Sequence, residues 1–409
     1  MRRVVVTGIG FITSLGDHWD VIKEAMLNQK TGIQKMDQWA EIKGLNTLLG
    51  GPINEFRLPP YPRKQTRSMG RVAQLATVSA EKALINAHLI DEKEILTSGR
   101  CGVAFGSCSG STDPLSDLSR IKTEREVKNV TATTYVKLMS HTCAVNIALF
   151  FGLTGRVIPT SSACTSGSQA IGYAFEAIRE GKADVMISGG AEELCPSQVA
   201  IFDTLYATSL KNDEANKTPR PFDKNRDGLV LGEGAGTLIL EELSHAKRRG
   251  APILAEITGF GTNCDARHIT QPTAEMMKKS MELALMDAHV KEDEIGYISA
   301  HGTATERGDI AESQATNEIF ADKTPISSLK GHFGHTLGAC GAIEAGLSIY
   351  MLNENLFMPT ANLEEIDPNC AKLDYIYDKP REIKTDYILS NNFAFGGINT
   401  SIIIKRYKA

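Results

Sequence analysis

Val4-Val5-Val6-Thr7-Gly8-Ile9-Gly10 opens the chain, and about 250 positions later Ala255-Glu256-Ile257-Thr258-Gly259-Phe260-Gly261 repeats its pattern. Each copy reads as a strand that ends in a Gly-x-Gly turn. A polar loop at a helix start follows each copy. Ala163-Cys164-Thr165-Ser166-Gly167 leads into a helix over Thr165–Ile178 and a strand over Ala183–Ser188. Gly334-His335-Thr336-Leu337-Gly338 leads into a helix over Ala342–Met351 and a strand near Tyr387–Ser390. Two copies of one α/β unit would set these loops side by side at a pseudo-twofold axis. The alternative is chance recurrence of a strand-Gly-x-Gly turn. The boundary is expected within Ser244–Pro252, at the charged Lys247-Arg248-Arg249-Gly250 turn, dividing 1–247 from 248–409.

The stretches between keep the same rhythm. Val72–Ala87 has helical apolar spacing, Cys101–Gly106 reads as a strand, Gly181 suits a left-handed helix end, and Gly189-Gly190 end the strand before them. This alternation predicts an α/β fold with buried sheets. Apolar residues at 42% and charged residues at 23% of 409 exclude disordered and fibrous classes. Lys+Arg 44 against Asp+Glu 49, a net charge of −5, argues against nucleic acid as the main partner. Ala144–Leu153 and Leu229–Leu240 fall short of the roughly 20 apolar residues of a membrane span, and the basic start has too short an apolar run for a signal peptide. Eight cysteines without a Cys-x-x-Cys pair are expected to be reduced, in the cytoplasm.

Cys164 leads the chemistry. A cysteine at a helix N-terminus faces free amides and the positive end of the dipole, which favour thiolate and can hold an oxyanion. The rival is a small buried structural thiol. His301, in Ser299-Ala300-His301-Gly302-Thr303-Ala304-Thr305, and His335, in the second glycine-rich loop, add two imidazoles. A thiolate with two imidazoles can form an acyl-thioester and stabilise a second reaction by N–H donation. His332 and His335 lack an acidic or thiol partner nearby in sequence, so no metal site is expected there and His332 reads as structural.

These residues, with Lys330-x-x-x-Gly334-His335-x-Leu337-Gly338-Ala339, Asn391-x-Phe393-x-Phe395-Gly396-Gly397-x-Asn399, Arg220-Pro221-Phe222-Asp223-x-x-Arg226-Asp227-Gly228 and Leu231-Gly232-Glu233-Gly234-Ala235-Gly236, resemble the elongating β-ketoacyl-acyl-carrier-protein synthases of type I/II. The resemblance spans essentially the whole chain. It implies the thiolase fold, with duplicated βαβαβαββ halves in five layers, α-β-α-β-α, and a homodimer or a heterodimer with a ketosynthase-like subunit. It implies that Cys164 accepts an acyl group from an acyl carrier protein. Malonyl-carrier protein would then lose CO₂ and attack it, with no cofactor. It further implies that His301 and His335 stabilise the decarboxylation, that Lys330 acts on His335 within a cluster holding Glu344, and that Asp309 supports the site. The amides of Cys164 and Phe395 would form an oxyanion hole, with Phe393 and Phe395 in a gate. Thr303, Thr305 and Thr270 would bind pantetheine, and Arg63, Lys64, Arg67 and Arg71 would dock the acidic carrier, from a stretch between Phe56 and Ala80 that has no acid.

The chain departs from the common pattern at Glu306-Arg307, where Pro-Leu is usual, at Ala394, where glycine is usual in the gate, and at Gly331-His332-Phe333. With Asn391-Asn392, these look more like ketosynthases of aryl-polyene pigment clusters, which implies an acyl pocket for rigid conjugated chains. Ala394 is expected to make the gate swing less freely if a positive φ is needed there. Two other readings share the residues: a cysteine hydrolase, and a non-catalytic partner subunit that binds carrier protein.

Overall fold

A computed structural model describes residues 1–408. The strands of its large sheet are β1 (Val4–Thr13), β2 (Cys101–Gly106), β3 (Val157–Thr160), β4 (Val185–Glu192), β5 (Gly234–Glu242), β6 (Ala255–Cys264), β7 (Ile295–Ser299), β8 (Pro325–Ser327), β9 (Asp374–Tyr375), β10 (Tyr387–Phe393) and β11 (Ile398–Lys405). The helices that build the layers are α1 (Arg71–Asn86), α2 (Thr142–Phe151), α3 (Ser166–Arg179), α4 (Ala274–Ala288), α5 (Glu306–Phe320) and α6 (Cys340–Glu354). The strands lie in the order β9-β8-β7-β10-β11-β6-β1-β5-β4-β2-β3.

That order is one topology written twice. In the first half β1 pairs antiparallel with β5, β5 antiparallel with β4, and β4 and β3 parallel with β2. In the second half β6 pairs antiparallel with β11, β11 antiparallel with β10, and β10 and β8 parallel with β7. Each half therefore runs βαβαβαββ, as the thiolase fold requires, and β9 adds to the outer edge of the second. Val4–Val6 pair with Ala255–Ile257 and stitch the two halves into one sheet. Helices α3 and α6 contact strands of both halves and form the central layer, while α1 and α2 cover the first half outside and α4 and α5 the second. α6 is buried nearly throughout and α3 keeps only a half-buried stripe of Gln169, Tyr173, Glu176 and Arg179, so the faces that meet in the inner layer are apolar. Ala170, Ile171, Ala174 and Ile178 of α3 share one cluster with Ala342, Ile343, Leu347 and Met351 of α6.

The repeated Gly-x-Gly has a packing cause that the turn reading missed, since β1 and β6 both continue through it. A Cβ at Gly8 or Gly10 would stand 2.3 Å from Ala83 O or 2.2 Å from Ser79 O, on α1. At Gly259 or Gly261 it would stand 2.4 Å from Ala284 O or 2.1 Å from Ser280 O, on α4. The glycines let one helix of each half lie directly on its strand. Gly189 and Gly190 likewise do not end β4; they lie inside it, where a Cβ would meet Gly236 O and Gly338 O, each at 2.1 Å. Gly261→Ala should therefore push α4 outward and cost about 1–3 kcal/mol. Urea unfolding reads this directly, and an unchanged midpoint would contradict the packing argument.

Gly181 ends α3 in the left-handed region as expected, φ +75°. The charged turn between the halves is partly a helix, Leu243–Arg248, and the chain turns at Gly250, φ +68°. Among the described residues no helix is long and apolar enough to cross a membrane.

Candidate active site

The duplicated loops meet at the central layer. Cys164 lies two residues before α3, after Ala163 in the left-handed region, φ +52°. His335 lies in the loop before α6, and His301 two residues beyond the end of β7. Cys164 Sγ stands 3.0 Å from His335 Nε2, and the two imidazole centroids are 5.2 Å apart. All three residues are buried, yet they wall a cavity of about 480 Å³ together with Thr303, Thr305 and Phe395.

The electrostatics correct the expectation of a resting thiolate. Burial pushes the Cys164 thiol up to about 11, against the Lys330 ammonium and the amides of Phe395 and Cys164, which pull the other way. The two amides are those the oxyanion-hole assignment requires. Burial also holds both imidazoles well below the ordinary histidine range, helped by Lys330 and, for His301, by His335. Both are therefore neutral at pH 7, and each can donate one N–H.

Lys330 is fully buried and its Nζ donates to Glu344 Oε1 at 2.5 Å. Burial opposes its charge, but the carboxylate of Glu344 outweighs that and keeps the ammonium above its ordinary range. Glu344 Oε2 accepts from Asn392 Nδ2 at 2.8 Å, and the same nitrogen lies 3.4 Å from His301 Nδ1. The cluster thus reaches His301 through Asn392, a residue the sequence reading gave no role. Asp309 Oδ1 accepts the amides of Thr303 and Ala304, and its Oδ2 accepts that of Phe222. Glu312 was also missed: its carboxylate accepts the amides of His301 and Gly302, each at 2.7 Å. Its spacing three residues after Asp309 on one helix face was the available signal. Burial raises Glu312 to about 8 and Asp309 to about 6, against those amides.

Thr303 and Thr305 share a hydroxyl hydrogen bond of 2.9 Å, and Thr270 lines the cavity from another loop. The Phe393 ring meets His301 edge-on, centroids 6.1 Å apart, and the Phe395 ring lies 5.4 Å from Phe202. The gate turns tightly: Ala394 N donates to Ile398 O, Gly397 N to Ala394 O, and Gly396 N to Ile269 O. Left-handed backbone falls on Gly396 and Gly397, φ +89° and +76°, and not on Ala394, so the expected backbone cost is absent. The Ala394 methyl instead joins Cys164 and Cys340 in a small apolar cluster. His332 sits outside the site, its Nε2 3.1 Å from Pro359 O.

Arg63, Lys64 and Arg67 are exposed around the short helix Arg63–Thr66. Arg71 is a correction to the docking set. Its guanidinium is bidentate on the buried Glu233, at 2.8 and 2.9 Å, and lies over the Phe56 ring. It anchors the segment that the other three decorate.

Comparison with known proteins agrees with this geometry. The Beta-ketoacyl synthase, N-terminal domain family matches residues 1–246, and the Beta-ketoacyl synthase, C-terminal domain family matches residues 254–364. A 3-oxoacyl-[acyl-carrier-protein] synthase 2 of Vibrio harveyi is 35% identical over 99% of both chains. A crystal structure of a β-ketoacyl synthase from Burkholderia phymatum STM815 superposes with a TM-score of 0.98, at 53% identity over 100% of both chains. A type II polyketide ketosynthase described in complex with its acyl carrier protein and bound to the hexaketide reaches 0.88 at 31% identity, covering 99% of this chain and 100% of that one.

Proposed function

The chain belongs to the β-ketoacyl synthase family and acts as a 3-oxoacyl-[acyl-carrier-protein] synthase, a condensing acyltransferase; from that premise we propose how its residues share the reaction. The observation that carries the proposal is the 3.0 Å contact between the Cys164 thiol and a neutral imidazole, with a second neutral imidazole beside it. In loading, Cys164 Sγ attacks the carrier thioester as its thiol proton leaves, with the Nε2–H of His335 donating to the sulfur at 3.0 Å. The oxyanion is held by the amides of Cys164 and Phe395, and the proton passes to the leaving pantetheine sulfur.

In condensation, malonyl-carrier protein loses CO₂ and negative charge gathers on its thioester oxygen. N–H groups of His301 and His335 stabilise that charge, because neutral donors in a water-poor site are worth more than in solvent. The carbanion attacks the acyl-Cys164 carbonyl, the sulfur leaves and is reprotonated, and the product is two carbons longer. Malonyl brings its own carbanion, so the reaction needs no cofactor. Thr303, Thr305 and Thr270 offer hydroxyls to the pantetheine arm. Lys330, Glu344 and Asn392 orient His301, and Asp309 and Glu312 hold the turn that carries it.

The partner is an acidic acyl carrier protein steered to Arg63, Lys64 and Arg67. Lys64→Glu with Arg67→Glu should raise KM for carrier-bound substrate at least tenfold and leave kcat within about twofold. An unchanged KM would remove these residues from docking. Strand β3 is an edge of the sheet with Val157 exposed, beside the exposed Leu149 of α2, which suits pairing with a second chain. We take the second chain to be another copy, or a ketosynthase-like subunit. Free thiols at all eight cysteines fit the cytoplasm.

The finer reading, toward rigid polyenoyl primers, rests on Glu306-Arg307, Ala394 and Gly331-His332-Phe333. It expects faster turnover of a polyenoyl primer than of a saturated chain of equal length. Equal or faster turnover of the saturated chain would count against it.

A further inference from the structure

One sulfur and two imidazole nitrogens, from Cys164, His301 and His335, lie within 4.8 Å of one another. A thiolate with two imidazoles is a donor set that selects borderline-soft cations over Mg²⁺ or Ca²⁺. Bonds of about 2.3 Å to sulfur and 2.0–2.1 Å to nitrogen set tetrahedral donors roughly 3.3–3.7 Å apart. The 3.0 Å contact between Cys164 Sγ and His335 Nε2 would need to open by only about half an ångström to reach that span. Asn392 holds His301 through Nδ1, which leaves Nε2 as the ligand atom. All three residues line the cavity of about 480 Å³, from which water can supply a fourth ligand.

Buried carboxyls around the triad offset the charge of a bound cation. Lys330 is a buried ammonium there, and its ion pair with Glu344 reduces, without removing, its repulsion of a second cation. Two further buried carboxyls flank the triad. Glu312 lies under the His301 backbone, and Glu192 accepts the amides of Cys108 and Gly338. A second set, His301, Cys340 and Glu344, also falls within 4.8 Å. It is the poorer ligand, because Glu344 is committed to Lys330 and Cys340 donates to Cys164 O.

We propose that the unacylated enzyme binds one Zn²⁺ per chain through Cys164 Sγ and the imidazoles of His301 and His335, and that this ion excludes acyl loading. Binding replaces the thiol proton, which leaves to solvent, and nothing is oxidised or reduced. An acyl group on the sulfur removes the thiolate ligand, so metal and acyl group are mutually exclusive. The exclusion rests on Cys164 as the acylated residue, whereas the metal site does not.

The test is an anaerobic titration of the full-length reduced protein with Co²⁺, followed by Zn²⁺. One equivalent of Co²⁺ should give a thiolate-to-cobalt charge-transfer band and the visible bands of tetrahedral cobalt, both erased by one equivalent of Zn²⁺. The bands should vanish in Cys164→Ser and persist in a Cys195→Ser, Cys264→Ser variant, which lacks the exposed Cys264 and the half-buried Cys195, neither of which lines the cavity. No sulfur band in the wild type, or the same band in Cys164→Ser, would overturn the site. With the site saturated by Zn²⁺, acyl transfer from acyl-carrier protein should slow at least tenfold and recover on chelation. Unchanged loading at full occupancy would overturn the exclusion.

Discussion

Cys164→Ala is expected to lower condensation by about 10⁴-fold or more, the scale on which removal of a covalent nucleophile acts. The loss should be selective. The stabilisation of the malonyl carbanion is assigned to His301 and His335, whose positions depend on Asn392, Glu312 and the loop before α6 rather than on the thiol. Malonyl-carrier protein should therefore still lose CO₂ on the variant, yielding acetyl-carrier protein without an elongated product. Release of CO₂ and product mass, followed in parallel, separate the two steps. If decarboxylation fell together with condensation, the division of labour between thiol and imidazoles would be wrong.

Lys330→Ala is expected to have the largest effect on stability. It leaves Glu344 charged and buried with only Asn392 as a partner, and breaking a buried pair from one side costs about 3–5 kcal/mol. Activity should fall as well, by at least tenfold, because Asn392 links that carboxylate to His301. Adding Glu344→Gln to Lys330→Ala should restore most of the stability, since it removes the orphaned charge, but not the activity. Urea unfolding of the single and double variants measures this. A single variant within about 1 kcal/mol of wild type would mean the pair is not the buried ion pair described here.

The repeat was legible because its glycines do the same physical job twice, admitting α1 onto β1 and α4 onto β6. The job itself was not legible, since a glycine in a strand and a glycine in a turn look alike until the helix above is known. Cys164, His301 and His335 stood out because the chemistry needs those residue types in polar, glycine-rich loops. The thiol's protonation could not be read in the same way. The dipole is a local feature, whereas the burial that outweighs it involves residues distant in sequence, Cys340 and Ala394 among them. Arg71 was misassigned for a related reason: its partner Glu233 lies 162 positions away. Asn392 and Glu312 work through backbone and relay contacts that leave little trace in a linear pattern.

The most direct test is intact-mass analysis of the wild-type enzyme with octanoyl-carrier protein, followed by malonyl-carrier protein and peptide mapping. One acyl adduct should appear on the peptide that carries Cys164. It should disappear when malonyl-carrier protein is added, as a β-ketoacyl chain two carbons longer appears on the carrier. A polyenoyl primer run beside it should load and turn over faster. An adduct mapped to Cys108 or Cys340, or an elongated product formed with Cys164 alkylated, would contradict the assignment of Cys164 as the residue that carries the acyl group.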